Sequence, residues 1–294
     1  SNVGLGRGNR TVTNHLSDMP TEQLIQLEAK WTGDFTPLLG QNLQLDLSRG
    51  KPSHKQLELS HKISNAVIED FFSSDGTDSR NYGNLKGVME ARELGAKILG
   101  TTIEETFAVG NSSLSLMHLV AQTALNRGLW QDDRSWNTAN KPKMITQVPG
   151  YDRHFTICDS LDIDMVNVKI TSDGPDINAI EKRVVEDSQI KGIWCVPKYS
   201  NPTGNTYSAE IVRAMAELPK KAAANDFVIF WDNAYGVHEI KYPGDDLASI
   251  MEASKSLGTQ DHLVQFGSTS KITFASGGIA FISSSELVLN TLEK

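Results

Sequence analysis

Phe227-Val-Ile-Phe-Trp-Asp-Asn-Ala-Tyr235 is the stretch on which the fold turns. Its first five residues are apolar without alternation, so a strand built from them is buried on both faces, as in a parallel sheet covered by helices. That strand then delivers Asp232 and Tyr235, a carboxylate and a phenol, to the place where open α/β sheets bind ligands, beyond the C-terminal strand ends. A carboxylate there needs a compensating partner, because an unpaired buried charge is expensive. The competing reading is a structural Asp capping the next loop.

The same alternation runs outward in both directions. Upstream, the spacing predicts helices over 86–99 and 113–127, closed by Gly100 and Gly128, then strand 143–148, strand 165–170, helix 176–187, strand 192–197 and helix 208–224. Downstream it predicts helix 246–257, strands 262–267 and 279–283, and a new helix starting at Ser285. The expected fold class is therefore α/β, a largely parallel sheet flanked by helices. Before residue 86 the signals are sparser. Residues 1–20 are polar and unpatterned, Thr21 to Trp31 reads as a short helix, and a Gly- and Pro-rich loop follows. Ser53 to Phe72 reads as one helix capped by Ser53, with Leu59, Ile63, Val67 and Phe71 in a stripe.

Composition removes several classes. A chain of 294 residues, 39% of them apolar, can bury one large core or two smaller ones. With 28 Lys and Arg against 36 Asp and Glu, the net charge of −8 argues against a surface for nucleic acid or anionic membrane. No apolar run reaches the roughly 18 residues of a membrane span, so a cytoplasmic protein is expected. Cys158 and Cys195 are the only cysteines, which indicates neither a disulfide framework nor a metal site; Cys195, within Gly-Ile-Trp-Cys-Val-Pro, reads as a small buried hydrophobe. Gly4-x-Gly6-x-Gly8 lacks the preceding strand and following apolar helix of a nucleotide-binding loop.

Other strand ends carry chemistry as well. After His262-Leu-Val-Gln-Phe-Gly comes Ser268-Thr-Ser-Lys271. A desolvated lysine has a lowered pKa, and its neutral amine attacks carbonyls to form Schiff bases; the competing reading is an exposed loop lysine. The Ser-x-x-Lys pattern of serine acyl-enzymes is also met, but no Ser-Asp-Asn or Lys-Thr-Gly follows and the match lies late in a parallel pattern. Gly110-Asn-Ser-Ser113 stands just before an apolar helix, where it can bind an anion or merely cap the helix. Pro149-Gly-Tyr151 and Asn201-Pro-Thr-Gly204 each follow a strand, and each alone is an ordinary turn.

Taken together and in this order, these five motifs resemble the fold-type I pyridoxal-phosphate aminotransferases. Asp46-Leu-Ser-Arg-Gly-Lys-Pro-Ser53, Tyr82-Gly-Asn-Leu-Lys-Gly87 and the run from Ser268 to Gly278 are most similar to the aspartate aminotransferase subgroup called type Ic, or MocR-like. The resemblance covers about residues 40–294. It implies a homodimeric enzyme that moves an amino group from aspartate or a related amino acid to a 2-oxo acid such as 2-oxoglutarate, with pyridoxal 5′-phosphate held as a Schiff base on Lys271. Lys271 would also shuttle the proton at the substrate Cα, and Asp232 would pair with the pyridine nitrogen. Asn201 and Tyr235 would hydrogen-bond the ring oxygen, Tyr151 would stack on the ring, and Asn111, Ser112, Ser113 and Ser268 would hold the phosphate. Tyr82 matches a tyrosine that reaches the phosphate from the other subunit. Gly50, in a loop closing near the substrate, and Asn201 would face the substrate.

The resemblance further implies that residues 53–294 form the cofactor-binding large domain and that residues 1–52 supply a tail, a short helix and an active-site loop. The family's small C-terminal domain, with the arginine that grips the substrate carboxylate, is expected to be absent from this chain. Ile279 stands where many members have a basic phosphate ligand, so another donor is expected. Two further readings stay open: a pyridoxal-phosphate lyase or decarboxylase on the same fold, and a noncatalytic remnant or regulatory module. No helix-turn-helix segment or basic stripe in residues 1–40 supports a regulator.

Overall fold

The computed structural model describes residues 16–45, 50–66, 70–130, 134–137, 140–239 and 241–294. The chain divides into two compact units, residues 1–51 and 52–294. The Gly4-x-Gly6-x-Gly8 run and Asp46–Arg49 lie outside the described residues.

The first unit contains helix α1 (Thr21–Leu39). It is longer than expected, continuing past Trp31 through Gly33 and Pro37 to the cap at Gly40. A helical glycine costs only about 1 kcal/mol relative to alanine. Pro37 falls in the last turn, where Thr36 adds a hydroxyl bond to the Thr32 carbonyl (2.7 Å).

In the second unit, the single helix expected over 53–72 is instead two short ones, α2 (His54–Glu58) and α3 (His61–Ser64). Ser53 is the cap, forming a reciprocal capping box with Gln56. The stripe fails because an isolated amphipathic helix is marginal until its apolar face is packed. Leu59 and Ile63 are 84% and 55% exposed. Val67 lies outside the described residues.

The sheet is built from β1 (Thr106–Ala108), β2 (Lys143–Val148), β3 (Asp164–Thr171), β4 (Gly174–Pro175), β5 (Ile190–Cys195), β6 (Val228–Asp232), β7 (Leu263–Ser268) and β8 (Ala280–Ser284). Their spatial order is β1-β8-β7-β6-β5-β2-β3-β4. The β3-β2-β5-β6-β7 core is parallel throughout, whereas β8 runs antiparallel to both neighbours and β4 to β3. The sheet is thus mixed and mostly parallel.

Among the described residues, seven helices belong with it: α4 (Met89–Leu99), α5 (Ser113–Asn126), α6 (Asp152–Ser160), α7 (Ile177–Glu186), α8 (Ala209–Lys221), α9 (Ile250–Leu257) and α10 (Glu286–Leu292). Gly100 (φ +68°) and Gly128 (φ +79°) stand just beyond α4 and α5 in the left-handed region that ends helices.

Because successive strand residues face opposite sides, β6 feeds two cores. Val228 and Phe230 pack with Trp194, Phe266 and the inner faces of α5 and α6, while Ile229 and Trp231 pack with Ile193 and the inner faces of α7, α8 and α9. This is why the strands read as continuous apolar runs. Helix α4 presses on the antiparallel edge at Gly95, where a Cβ would overlap the buried Phe281 ring. Cys158 and Cys195 are both free and buried. Burial pushes the Cys158 thiol up to about 11 and Cys195 upward as well, which suits space-filling rather than reactivity. No helix among the described residues is long and apolar enough to cross a membrane.

Candidate functional site

Asp232 is the last residue of β6 and is 2% exposed. Its Oδ2 lies 3.1 Å from His154 Nε2, so the partner that a buried carboxylate demands comes from α6. Its Oδ1 is equally buried and meets no donor. His154 is fixed in turn by a stack of rings. It lies nearly parallel to Trp194 of β5 (4.5 Å between centroids, 12°), and the Tyr151 ring meets it edge-on (5.1 Å, 88°). Trp194 is anchored by its indole N–H on Cys158 Sγ (3.4 Å). Burial first, then the Asp232 charge, pushes the Tyr151 phenol above its ordinary range. Tyr151 is therefore a neutral aromatic surface at neutral pH. Asn201, half-buried in the turn after β5, lines the same crevice as Tyr151, His154, Trp194 and Ser200.

Tyr235 follows Asp232 by one turn, and its ring carries the Lys271 ammonium at 4.2 Å from the centroid. Lys271 sits in the connection between β7 and β8 and is exposed, the second of the two readings of this lysine, because it lies beyond the strand rather than on it. What the fold supplies is an aromatic face that orients the cation. His238 meets the Tyr235 ring as well, nearly perpendicular to it (5.7 Å between centroids, 83°).

The Asn111–Ser113 segment is tied to the lysine connection by several bonds. Val109 N–H donates to the Ala280 carbonyl (2.9 Å) and Ala280 N–H to the Gly110 carbonyl (3.0 Å). The Ser270 hydroxyl donates to the Asn111 carbonyl (3.0 Å), and Asn111 Nδ2 donates to the Ala275 carbonyl (3.4 Å). Ser112 caps α5, accepting from Ser115 N–H (3.3 Å), and Ser113 opens that 14-residue helix. The free amides and dipole of such a helix start favour an anion. Ser268, at the end of β7, is half-buried. Ile279 is pinned by its main chain to Thr269, whose hydroxyl accepts its N–H (3.0 Å).

The second unit therefore brings together Asp232, Tyr235 and Lys271 through β6 and the β7–β8 connection, and Asn111, Ser112 and Ser113 by hydrogen bonds to that connection. Tyr82 is fully exposed and joins none of these contacts within the chain. Gly50 belongs to the first unit. Sequence reasoning missed His154 and His238. The first lies three residues after Tyr151, one helical turn on; the second lies three residues after Tyr235. That spacing from an already suspected aromatic was the available signal.

Chemically, the arrangement offers an unpaired buried acceptor, a flat aromatic wall, a positioned amine and a helix start suited to an anion. The profile of the family described as aspartate amino-transferase matches residues 19–294. The chain is 40% identical over 255 residues to a Mycolicibacterium smegmatis protein that bears an aminotransferase name, covering 86% of this chain and 59% of that protein. It is 36% identical over 267 residues to an aspartate aminotransferase of Corynebacterium glutamicum, covering 90% and 61%. The crystal structure of an aspartate transaminase from Corynebacterium glutamicum superposes with a TM-score of 0.84 at 34% identity, covering 95% of this chain and 66% of that one. The chain thus spans about three fifths of the length of these relatives, and on the match over 19–294 it belongs to the aspartate amino-transferase family.

Proposed function

We propose that this chain is the cofactor-binding part of a pyridoxal-phosphate aminotransferase, moving an amino group from aspartate or a related amino acid to a 2-oxo acid such as 2-oxoglutarate. The observation that carries the reading is Asp232 Oδ1, a buried oxygen without a donor, held beside His154 and Tyr151. A protonated pyridine ring has the donor that this oxygen lacks, and its phosphate suits the hydroxyl-rich start of α5, so the residues present fit the group. Bound there, pyridoxal phosphate supplies a carbonyl that condenses with amines and a ring that accepts the electron pair released at a substrate Cα.

The residues then divide the work. Asp232 accepts the ring N–H and keeps that proton in place, with His154 holding the carboxylate in position. Tyr151 covers one ring face. Asn201 and Tyr235 donate to the ring oxygen, and Asn201 also faces substrate. Asn111, Ser112, Ser113 and Ser268 bind the phosphate with hydroxyl and main-chain donors. Lys271 supplies the amine, and its Nζ takes and returns the Cα proton. Residues 53–294 form the cofactor domain, residues 1–52 contribute the loop containing Gly50, and Tyr82 reaches the phosphate of a second copy in a homodimer.

The test is the visible spectrum of the protein with pyridoxal phosphate, before and after aspartate, followed by borohydride reduction and peptide mapping. The expected result is a visible band that aspartate discharges and a reduced adduct on Lys271. Lys271→Ala is expected to lower turnover by about 100-fold or more, the scale of a lost acid–base group, while retaining some cofactor through the phosphate site. Full activity in that variant overturns the assignment. A band that forms but ignores every amino acid offered would instead favour a noncatalytic binder.

A further inference from the structure

His238 is not accounted for by the roles above. Both of its ring nitrogens are buried and neither makes a hydrogen bond. An imidazole always carries at least one N–H, and here the main chain of Lys271 is the acceptor that bears on it, without a well-formed hydrogen bond. Its surroundings are specific. Its ring stands nearly perpendicular to that of Tyr235 (5.7 Å between centroids, 83°), and the same Tyr235 ring carries Lys271 Nζ at 4.2 Å from its centroid. The charged groups facing it are Lys271, Glu239 and Lys198, and Glu239 is already engaged by Lys198 Nζ (2.5 Å) and the Tyr199 hydroxyl (2.6 Å).

We propose that His238 is a positioning residue for Lys271, acting through the Tyr235 ring and the Lys271 main chain to keep the amine aimed over that ring. The inference rests on the proposed role of Lys271, but its physical content is a coupling between two side chains that exists without any cofactor. Burial first, and the Lys271 charge with it, keeps the imidazole neutral at neutral pH, against the pull of the Lys271 main chain and of Glu239. Protonating it in acid would set a cation beside Lys271 and Lys198 while their one facing carboxylate is occupied. The amine would then lose its alignment at low pH.

The test uses the full chain without cofactor, with labelled histidine side chains titrated by NMR through the ordinary histidine range. His238 is expected to titrate below that range in the wild type. In Lys271→Met the repulsion is gone, and its proton affinity is expected to rise by about threefold or more, the scale of one charge several ångströms away at high effective dielectric. His154 and His262, on other elements, report that the fold persists. An unmoved His238 titration in Lys271→Met overturns the inference. A second arm adds pyridoxal phosphate and follows the pH midpoint of the visible band in wild type, His238→Phe and His238→Gln. The phenylalanine variant is expected to shift the midpoint and the glutamine variant to restore it; an unshifted midpoint in His238→Phe also overturns the inference. Absence of any band in the wild type defeats the proposed function instead and leaves the first arm standing as an independent result.

Discussion

The two oxygens of Asp232 have different fates: one is bonded to His154, and the other is buried without a donor. An unsatisfied buried acceptor costs about 1–3 kcal/mol, a strain the fold carries until a donor arrives. A hydrogen bond to a charged acceptor is worth about 1.5–3 kcal/mol, so Asp232→Ala is expected to weaken pyridoxal phosphate binding about 10- to 100-fold by equilibrium dialysis. Unchanged affinity would remove Asp232 from the cofactor site. The residues legible in the sequence were those that a strand must deliver: Asp232 and Lys271 follow long apolar runs, and two-faced burial dictates where those runs end. His154 was illegible for the opposite reason. Asp152–Ser160 is mostly polar, and its inner face consists of His154, Ile157 and Cys158, too little apolar signal to announce a helix.

Among the elements, α4 illustrates how a helix start organises the loop before it. Glu90, in its first turn, accepts from the Ser73 hydroxyl and the Ser74 amide, both at 2.7 Å. Those bonds hold its carboxyl down to about 2, and Arg80 does the same for Asp78. A carboxyl held below its unfolded value contributes stability that is present above about pH 4.5 and lost as pH falls toward the folded value. Acidification through that window is therefore expected to release the 73–77 turn from α4. Hydrogen exchange at the Ser74 amide should accelerate there relative to amides of β5, and Glu90→Gln should exchange faster already at neutral pH. Equal protection at both ends of the window would show that Glu90 does not hold the turn. The strands β2, β5, β6 and β7 were readable because length and β-branched or aromatic content coincide. The three residues of β1 and the two of β4 are too short to carry a pattern, and only tertiary pairing makes them strands.

For the molecule as a whole, large exposed apolar side chains concentrate before residue 86. Trp31, Phe35, Leu59, Phe72, Tyr82 and Leu85 are all more than half exposed, whereas most apolar residues of the sheet are buried, Val148 and Met165 being exceptions. Within each of the two units, exposed apolar side chains of this kind suit an interaction surface. In the homodimer proposed above, Tyr82→Phe is expected to weaken cofactor binding about 3- to 10-fold, the worth of one hydrogen bond, without changing the sedimentation coefficient. An unchanged dissociation constant in a confirmed dimer would remove Tyr82 from the phosphate site. Whole-chain organisation was the least legible level, because an apolar stripe has the same appearance whether it meets its own sheet or another surface.

The antiparallel strand β8 also orders events in time. Among the described residues it is the one strand that pairs with β1, with Thr106 opposite Ser283, so β1 has no ladder to join until residues 280–284 exist. The bonds that set Gly110 beside Ala280 depend on the same pairing. On a ribosome, the parallel strands from β2 to β7 can assemble as they emerge, but the segment that follows β1 meets the lysine connection only after β8 has been made and threaded back between β1 and β7. A nascent chain halted before that point would hold a largely built sheet whose end at Asn111–Ser113, the proposed phosphate site, was still open.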